Sequence, residues 1–283
     1  MKYVIFFFLF VNYLIANENK IKLGILYNEI FTSEKDEKIN SKIWEMYLKE
    51  EKLFESVSTI FYEDDNLILN DFTNNKLDVI VVNPALYFKN KTKLDLEIKN
   101  KWASSLSKGV FQEYYLIKNK KSNVSFENLK NFALYYRDKS SKEWIESYII
   151  NKKKKNLDET FSEIINVDNY SKLIYRVFLK TDSLIIIPKE EFETLSKLNP
   201  QVVRETEIIK KSEPIFFTGM GLTNKNISNE KIHIINSMLQ KDEENTDMLN
   251  SINLSRIYIK RDFDSNLIDQ FYNNYFTLLE QIK

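Results

Sequence analysis

Residues 76–88 read KLDVIVVNPALYF, and residues 180–192 read KTDSLIIIPKEEF. The two stretches share a Lys, an Asp, an aliphatic run, a Pro and a Phe at the same internal spacing. A continuous aliphatic run is typical of a strand that is covered on both faces, and a Pro directly after it suits the first position of a helix. We therefore predict that the repeat marks the same structural unit in two halves of the chain, with the Asp entering each strand and the Pro leaving it.

Strands and helices alternate around both copies of the repeat. Predicted strands cover 20–28, 57–62, 78–83, 110–119, 132–137, 183–188 and 207–226. Predicted helices cover 33–54, 66–75, 141–155, 169–180, 190–198 and 229–240, and a further helix closes the chain. This order predicts an α/β fold in which parallel or mixed sheets carry helices on both faces. The runs 110–119 and 214–222 bracket the second αβ region, so they are candidates for two crossings between lobes.

The composition excludes several classes of function. Lys plus Arg and Asp plus Glu both number 41, so no overall field directs the chain to nucleic acid. Only four glycines are present, and they cannot form a P-loop or a dinucleotide fingerprint. With no cysteine and one histidine, thiol, zinc and most histidine chemistry is disfavoured. We therefore expect a folded protein that is not an enzyme and needs no cofactor.

The N-terminus has the layout of a secretory signal peptide. Lys2 precedes an apolar run from Tyr3 to Ile15, and the small Ala16 follows. We predict a signal peptide over 1–16 and export to the periplasm. An uncleaved anchor is the alternative, because Leu14 is larger than a cleavage site prefers.

Several stretches resemble the periplasmic substrate-binding proteins of the phosphate, phosphite and phosphonate type that serve ABC transporters, which have the type 2 periplasmic-binding fold. The resemblance lies in an Asp-led strand with the following helix, in the outgoing crossing and in the return crossing. These are DVIVVNPALYF (78–88), GVFQEYYLIKN (109–119) with SFENLKNFALYY (125–136), DSLIIIPKEEFETLSKLNPQV (182–202) and SEPIFFTGMGLTNKNISNEKIHIINSML (212–239).

The resemblance implies a two-lobed fold and a transport function. Lobe 1 would comprise 18–110 and 215–283, and lobe 2 would comprise 111–214. A small anionic ligand, such as phosphate or a phosphonate, would lie in the cleft between the lobes. A monomeric binding protein would deliver it to an ABC permease. The alternative is a ligand-sensing domain that signals to a membrane sensor kinase.

Candidate ligand contacts lie in the turns after the strands and in the crossings, since ligands of open α/β sheets bind at the carboxyl ends of strands. They are Tyr27, Asn28, Asn83, Tyr87, Tyr114, Arg137, Asp138, Ser140, Ser141, Asp182 and Thr218. Ser140 and Ser141 would match the hydroxyl groups of a family motif that holds the oxyanion at a helix N-terminus. Asp182 is included only by resemblance to an acidic family position, because it opens its strand and belongs to the opposite edge of the sheet.

Simpler roles compete with ligand binding at several of these positions. Ser140 with Glu143 fits a helix capping box. Arg137 could grip a phosphoryl or carboxylate group in bidentate fashion, or pair at the surface with Asp138 or Glu143. Asn83 fits a helix N-cap.

Packing and solvation are the simpler roles elsewhere. Tyr27 and Tyr87 could pack in the core rather than contact a ligand. The lysine run 152–155 suits the C-terminus of a helix, where cations complement the helix dipole.

Overall fold

The computed structural model describes residues 20–26, 42, 46, 57–105, 110–216, 219–240, 256–258 and 265–283. The chain divides into two compact units. Unit 1 comprises Met1–Ser107 and Thr218–Phe263, and unit 2 comprises Lys108–Phe217 and Asp264–Lys283.

The described part of the chain alternates between strands and helices. The strands are β1 (Ile21–Leu26), β2 (Val57–Tyr62), β3 (Val79–Val82), β4 (Ile98–Ser105), β5 (Phe111–Gln112), β6 (Tyr114–Asn119), β7 (Ala133–Tyr136), β8 (Glu163–Asn166), β9 (Ser183–Pro188), β10 (Thr206–Lys211), β11 (Ile215–Phe216), β12 (Met220–Asn224) and β13 (Arg256–Tyr258). The helices are α1 (Asp65–Thr73), α2 (Pro84–Lys89), α3 (Lys91–Leu94), α4 (Lys139–Lys153), α5 (Leu157–Thr160), α6 (Tyr170–Leu179), α7 (Lys189–Leu198), α8 (Gln201–Glu205), α9 (Asn229–Gln240) and α10 (Ser265–Glu280). A short 3-10 turn covers Leu129–Asn131.

The sheet of unit 1 is mixed. Its strands pair in the order β13, β4, β12, β3, β1, β2. β1 is parallel to both β2 and β3, whereas β12 is antiparallel to β3 and β4. Gly221 on β12 allows a close approach by Trp102 on β4, because a Cβ atom at Gly221 would lie 1.9 Å from the indole ring. Trp102 is thereby packed in the same core cluster as Val79 and Ile235.

The sheet of unit 2 is built around β9. Its strands pair in the order β10, β6, β9, β7, β8, with β9 parallel to β7 and antiparallel to β6. Leu184 and Ile186 face the core cluster under α4, while Ile185 and Ile187 face the cluster under α6 and α7. Each of these side chains is 0% exposed, so each stabilises the fold by roughly 2 kcal/mol. Burial on both faces explains why the strand is a continuous aliphatic run.

The repeated stretch occupies equivalent places in the two sheets. β3 and β9 each have one antiparallel neighbour and one parallel neighbour, and a second parallel strand lies beyond the latter. Pro84 begins α2, and Pro188 is the N-cap of α7. The prediction of two mixed sheets flanked by helices, with a buried strand in each copy, is confirmed.

The Asp residues of the repeat have backbone roles at the amino ends of the strands. The carbonyl oxygen of Asp78 accepts from the N–H of Asn224, and that of Asp182 accepts from the N–H of Ala133. The carboxylate of Asp78 also accepts from the N–H of Lys22 at 2.8 Å and from Lys231 Nζ at 2.9 Å. Asp78 therefore links the amino end of β3 to β1 and to α9.

The two predicted crossings pair with each other. β5 and β11 form a two-stranded antiparallel sheet within unit 2, with Ile215 opposite Gln112. Ser212 precedes β11 and Tyr114 follows β5, and the N–H of Ser212 donates to the carbonyl oxygen of Tyr114 at 2.8 Å.

The C-terminal helix belongs to a different unit from the one expected. The expected boundaries placed all of 215–283 in lobe 1. Residues Asp264–Lys283 belong to unit 2, because α10 packs on α4. Tyr272 is fully buried, and its hydroxyl donates to Glu143 at 3.3 Å. The hydroxyl of Tyr275 donates to Glu146 at 2.6 Å.

Some predictions fall where few residues are described. Of the helix predicted over 33–54, only Lys42 and Met46 are described, and both are helical. The signal peptide predicted over 1–16 lies outside the described residues. Among the helices that the structure describes, none combines the length and the apolar character needed to cross a membrane.

Candidate functional site

The carboxyl edge of the unit 2 sheet gathers several of the expected ligand contacts. β7 ends at Tyr136, so Arg137 begins the turn that leads into α4. β6 runs in the opposite direction, and the register pairs its first residue, Tyr114, with Pro188 at the end of β9. Tyr114, Arg137, Ser140 and Ser141 therefore lie at one edge of one sheet.

Asp138 organises this edge as the N-cap of α4. Its Oδ1 accepts from the N–H of Ser141 at 2.8 Å and from the hydroxyl of Tyr114 at 2.8 Å. The hydroxyl of Tyr170 reaches Oδ2 at 3.5 Å. One carboxylate thus joins the beginnings of β6, α4 and α6.

Burial perturbs the acid–base properties of this cluster. Burial raises the pKa of Asp138, although the hydrogen bonds from Ser141 and Tyr114 act in the opposite direction. Burial, followed by the negative charge of Asp138, holds the pKa values of the Tyr114 and Tyr170 hydroxyls well above their usual range. The two tyrosines are therefore neutral hydrogen-bond donors near neutral pH.

Asp138, and not Ser140, is the N-cap of the helix. Ser140 is the second helical residue and is partly exposed. Ser141 is fully buried, and its hydroxyl donates to the carbonyl oxygen of Asp138 at 2.6 Å. The hydroxyl of Ser141 is therefore engaged within the turn, whereas Ser140 presents its first-turn position to solvent.

Arg137 is held in place by groups other than the ion pairs considered from the sequence. Its guanidinium carbon lies 4.5 Å from the ring centroid of Tyr170, and its Nε donates to the carbonyl oxygen of Asp168 at 3.2 Å. Its own carbonyl oxygen accepts from Asn166 at 2.8 Å. A guanidinium has four further N–H donors on its Nη atoms, which suit a planar bidentate contact to an oxyanion.

In unit 1, Asn83 has the predicted capping role. Its Oδ1 accepts from the N–H of Leu86 at 2.6 Å, at the start of α2. Its Nδ2 is buried and has no hydrogen-bond partner among the described residues. An unpaired buried donor is costly, so a ligand oxygen that accepts from this Nδ2 would relieve that cost.

Tyr87 is buried and its hydroxyl is hydrogen-bonded to other side chains of unit 1. It is 2% exposed, its hydroxyl donates to Asp95 at 2.7 Å, and Lys101 Nζ hydrogen-bonds to the same hydroxyl. Burial raises the pKa of Asp95, but the hydrogen bonds from Lys101 and Tyr87 outweigh it, so that the pKa lies below its usual value. Tyr87 therefore fastens α2 to β4, as the packing alternative proposes.

Of the remaining expected contacts, the structure describes only Asp182. Asp182 precedes β9, so it lies at the amino edge of the sheet, where it is exposed. Its inclusion through the family resemblance is not supported by its position. Tyr27, Asn28 and Thr218 lie outside the described residues.

Comparisons with known proteins agree with this architecture. The profile of a family described as "ABC transporter, phosphonate, periplasmic substrate-binding protein" matches residues 31–262. The chain belongs to this family. Among curated proteins, no sequence match was found.

Solved structures share the fold of this substrate-binding protein at low sequence identity. A binding protein component of an ABC phosphonate transporter from Pseudomonas aeruginosa is 16% identical, with a TM-score of 0.56 over 93% of this chain and 97% of that chain. PhnD1 from Prochlorococcus marinus, in complex with methylphosphonate, is 13% identical, with a TM-score of 0.59 over 93% and 98%. A Xanthomonas citri protein bound to ATP is 8% identical, with a TM-score of 0.64 over 94% and 100%.

Family membership establishes the broad role of the protein. The chain is a solute-binding protein of the ABC transporter type, and the family is one of periplasmic transport proteins, not of enzymes. The predicted family and solute-binding function are confirmed.

One residue of this edge, Tyr170, was not predicted to lie there. Asp138 was expected at the edge, but its role as the N-cap of α4 was not, although an Asp three residues before Ser141 at the end of a strand is an N-cap signal. Tyr170 carried no signal, because its contact with Arg137 joins residues that are 33 positions apart in the sequence (170 minus 137).

Proposed function

We propose that this substrate-binding protein captures a small phosphonate or phosphate-like anion and that Arg137 and Ser140 supply the contacts of unit 2. The observation that carries the proposal is the placement of Arg137, which Tyr170 and Asp168 fix beside the first turn of α4. Helix N-termini favour anions through their N–H groups and the helix dipole. A pre-positioned guanidinium beside such a turn is suited to a phosphoryl group.

Asp138 limits how the anion can be held. It already accepts the N–H of Ser141, and its own negative charge repels an oxyanion at close range. The ligand must therefore approach on the side of Ser140 and Arg137. The hydrogen bonds that Tyr114 and Ser141 donate to Asp138 direct its charge into the protein.

In unit 1, we propose Asn83 as a ligand contact, since its Nδ2 is a buried donor without a partner among the described residues. Tyr27, Asn28 and Thr218 remain predicted contacts. We further propose that residues 1–16 are cleaved on export, that the mature protein is monomeric and without enzymatic activity, and that it delivers its ligand to a permease. Signalling to a sensor kinase is the alternative role.

A thermal-shift screen tests the ligand class. Methylphosphonate, phosphate, phosphite and acetate are compared with choline, a cation that serves as the control. At a concentration about a hundredfold above Kd, the bound anion should raise Tm by about 5 °C or more. Stabilisation by choline and by none of the anions would contradict the proposal.

A further inference from the structure

The amino edge of the unit 2 sheet forms a surface far along the strands from the proposed ligand contacts. α4, α6 and α7 all begin at the carboxyl edge and run back, so their C-terminal ends meet the amino edge. The ends of α6 and α7 present Leu179 and Leu198, and the short helix α8 adds Val203.

Hydrogen bonds bring three of these chain segments together. Asn119, at the end of β6, donates through Nδ2 to the carbonyl oxygens of Val177 at 3.0 Å and Phe178 at 3.1 Å. The next residue, Lys120, donates through Nζ to the carbonyl oxygen of Val203 at 3.1 Å. The end of β6, the end of α6 and the short helix α8 are therefore neighbours on one surface.

Aliphatic side chains project from this surface. Leu179 is 70% exposed, Leu198 is 78% exposed and Val203 is 51% exposed. Most large apolar side chains of unit 2 are buried. Leu179, Leu198 and Val203 instead form an exposed apolar group at one edge of the sheet.

Basic residues surround the aliphatic side chains. The exposed ones nearest to them are Lys120, Lys121, Lys180, Lys197 and Arg204. The lysine run 152–155 ends α4 at the same edge of the sheet. Acidic residues are also present there, namely Glu127, Asp158, Glu159, Glu163, Asp182, Glu205 and Glu207. Glu205 lies 3.9 Å from Lys121, so part of the negative charge is offset locally.

We propose that this basic edge, defined by Lys120, Lys121, Leu179, Lys180, Lys197, Leu198, Val203 and Arg204, contacts the surface of an anionic phospholipid bilayer. Lysine and arginine attract anionic headgroups, while projecting aliphatic side chains enter the boundary between headgroups and acyl chains. A substrate-binding protein of an ABC transporter works beside a membrane, so this contact would keep the protein near its transporter. The proposal does not depend on which ligand the protein binds.

Vesicle sedimentation of the full chain tests the proposal. Vesicles of phosphatidylcholine mixed with phosphatidylglycerol are compared with vesicles of phosphatidylcholine alone. The variant Lys180→Gln/Lys197→Gln removes two charges beside the projecting leucines. The matched control, Lys89→Gln/Lys93→Gln, removes two exposed lysines of unit 1.

We expect the protein to bind the phosphatidylglycerol vesicles in a salt-sensitive manner, and the Lys180→Gln/Lys197→Gln variant to bind them about tenfold more weakly. The control variant should bind like the wild type. Leu179→Ser/Leu198→Ser should also weaken binding to these vesicles, which a purely ionic contact would not predict.

Three results would overturn the proposal. They are an absence of binding to anionic vesicles, an equal loss in the unit 1 control, and binding that is independent of phosphatidylglycerol and unchanged in the lysine variant, as an inserted N-terminal segment would give. Circular dichroism confirms that each variant is folded. Anion-induced thermal shifts should be the same in all variants, so failure here leaves the ligand proposal standing.

Discussion

Asp138 is the residue whose environment has the most direct physical consequence. Its carboxylate caps α4 and accepts from Tyr114, which is 0% exposed. Burial raises its pKa, so the folded protein binds the Asp138 proton more tightly than the unfolded chain does. Ionisation of Asp138 on going from acid to neutral pH therefore lowers the free energy of unfolding.

The substitution Asp138→Asn removes this ionisation and keeps the size of the side chain. We expect the free energy of unfolding of the variant, relative to the wild type, to rise as the pH increases from about 4 to about 7. Urea unfolding across this range measures the difference. A difference that is constant with pH would contradict a raised pKa for Asp138.

Tyr87 gives a prediction that separates packing from ligand binding. Tyr87→Phe removes the hydroxyl shared by Asp95 and Lys101, and should lower the free energy of unfolding by about 1–2 kcal/mol. Calorimetric titration should give an unchanged Kd for the stabilising anion. A tenfold weaker Kd at unchanged stability would instead return Tyr87 to the ligand contacts.

The residue scale also shows what the sequence could reveal about the site. A strand followed directly by Arg137, Asp138 and two serines was enough to locate the edge. The sequence was not enough to say which of these residues caps the helix. Asp and Ser are almost equally good N-caps, and local sequence does not rank them. The stack of Arg137 on Tyr170 depends on the packing of α6 beside α4, which no local pattern encodes.

At the scale of elements, burial on both faces made the central strands easy to predict. β9 and β3 are aliphatic runs, and β6 supplies side chains to both cores of unit 2. β4 was missed because its sequence, IKNKWASS, mixes lysines with few apolar residues. Its pairing with β12 and β13 is a long-range contact that stabilises a strand of low intrinsic preference.

The placement of α10 could not be predicted from its own sequence. Its apolar residues at helical spacing require some partner, but they do not say which. In the structure, Tyr272 and Tyr275 donate to Glu143 and Glu146, and these two carboxylates lie on one side of α4.

This contact predicts that α10 stabilises the helix whose first turn we assign to ligand binding. Tyr272→Ala removes a fully buried ring and should lower the free energy of unfolding by about 3–5 kcal/mol. Asn273→Ala, at an exposed position of the same helix, should change it by less than about 0.5 kcal/mol. Equal effects of the two substitutions, measured by urea unfolding, would mean that α10 does not pack on α4.

At the scale of the whole molecule, the repeat at 76–88 and 180–192 reflects the architecture of the two sheets and not a functional motif. Both copies form a central strand with the same arrangement of parallel and antiparallel neighbours. The mismatched positions are more informative about function: Asn83 in the first copy has a buried donor without a partner among the described residues, where the second copy has the fully buried Ile187.

The central claim is that a phosphonate or phosphate-like anion is held by Arg137 at the carboxyl edge of unit 2. Isothermal titration calorimetry with the most stabilising anion tests it on Arg137→Ala and on a matched control, Arg176→Ala. Arg176 also stacks on a tyrosine, with its guanidinium carbon 5.5 Å from the ring of Tyr135, but it lies within α6 and not in the turn before α4.

We predict that Arg137→Ala raises Kd by about tenfold to a hundredfold, because a charge-assisted hydrogen bond to the ligand contributes about 1.5–3 kcal/mol, and that Arg176→Ala leaves Kd unchanged. An anion that binds Arg137→Ala as tightly as it binds the wild type would contradict the claim.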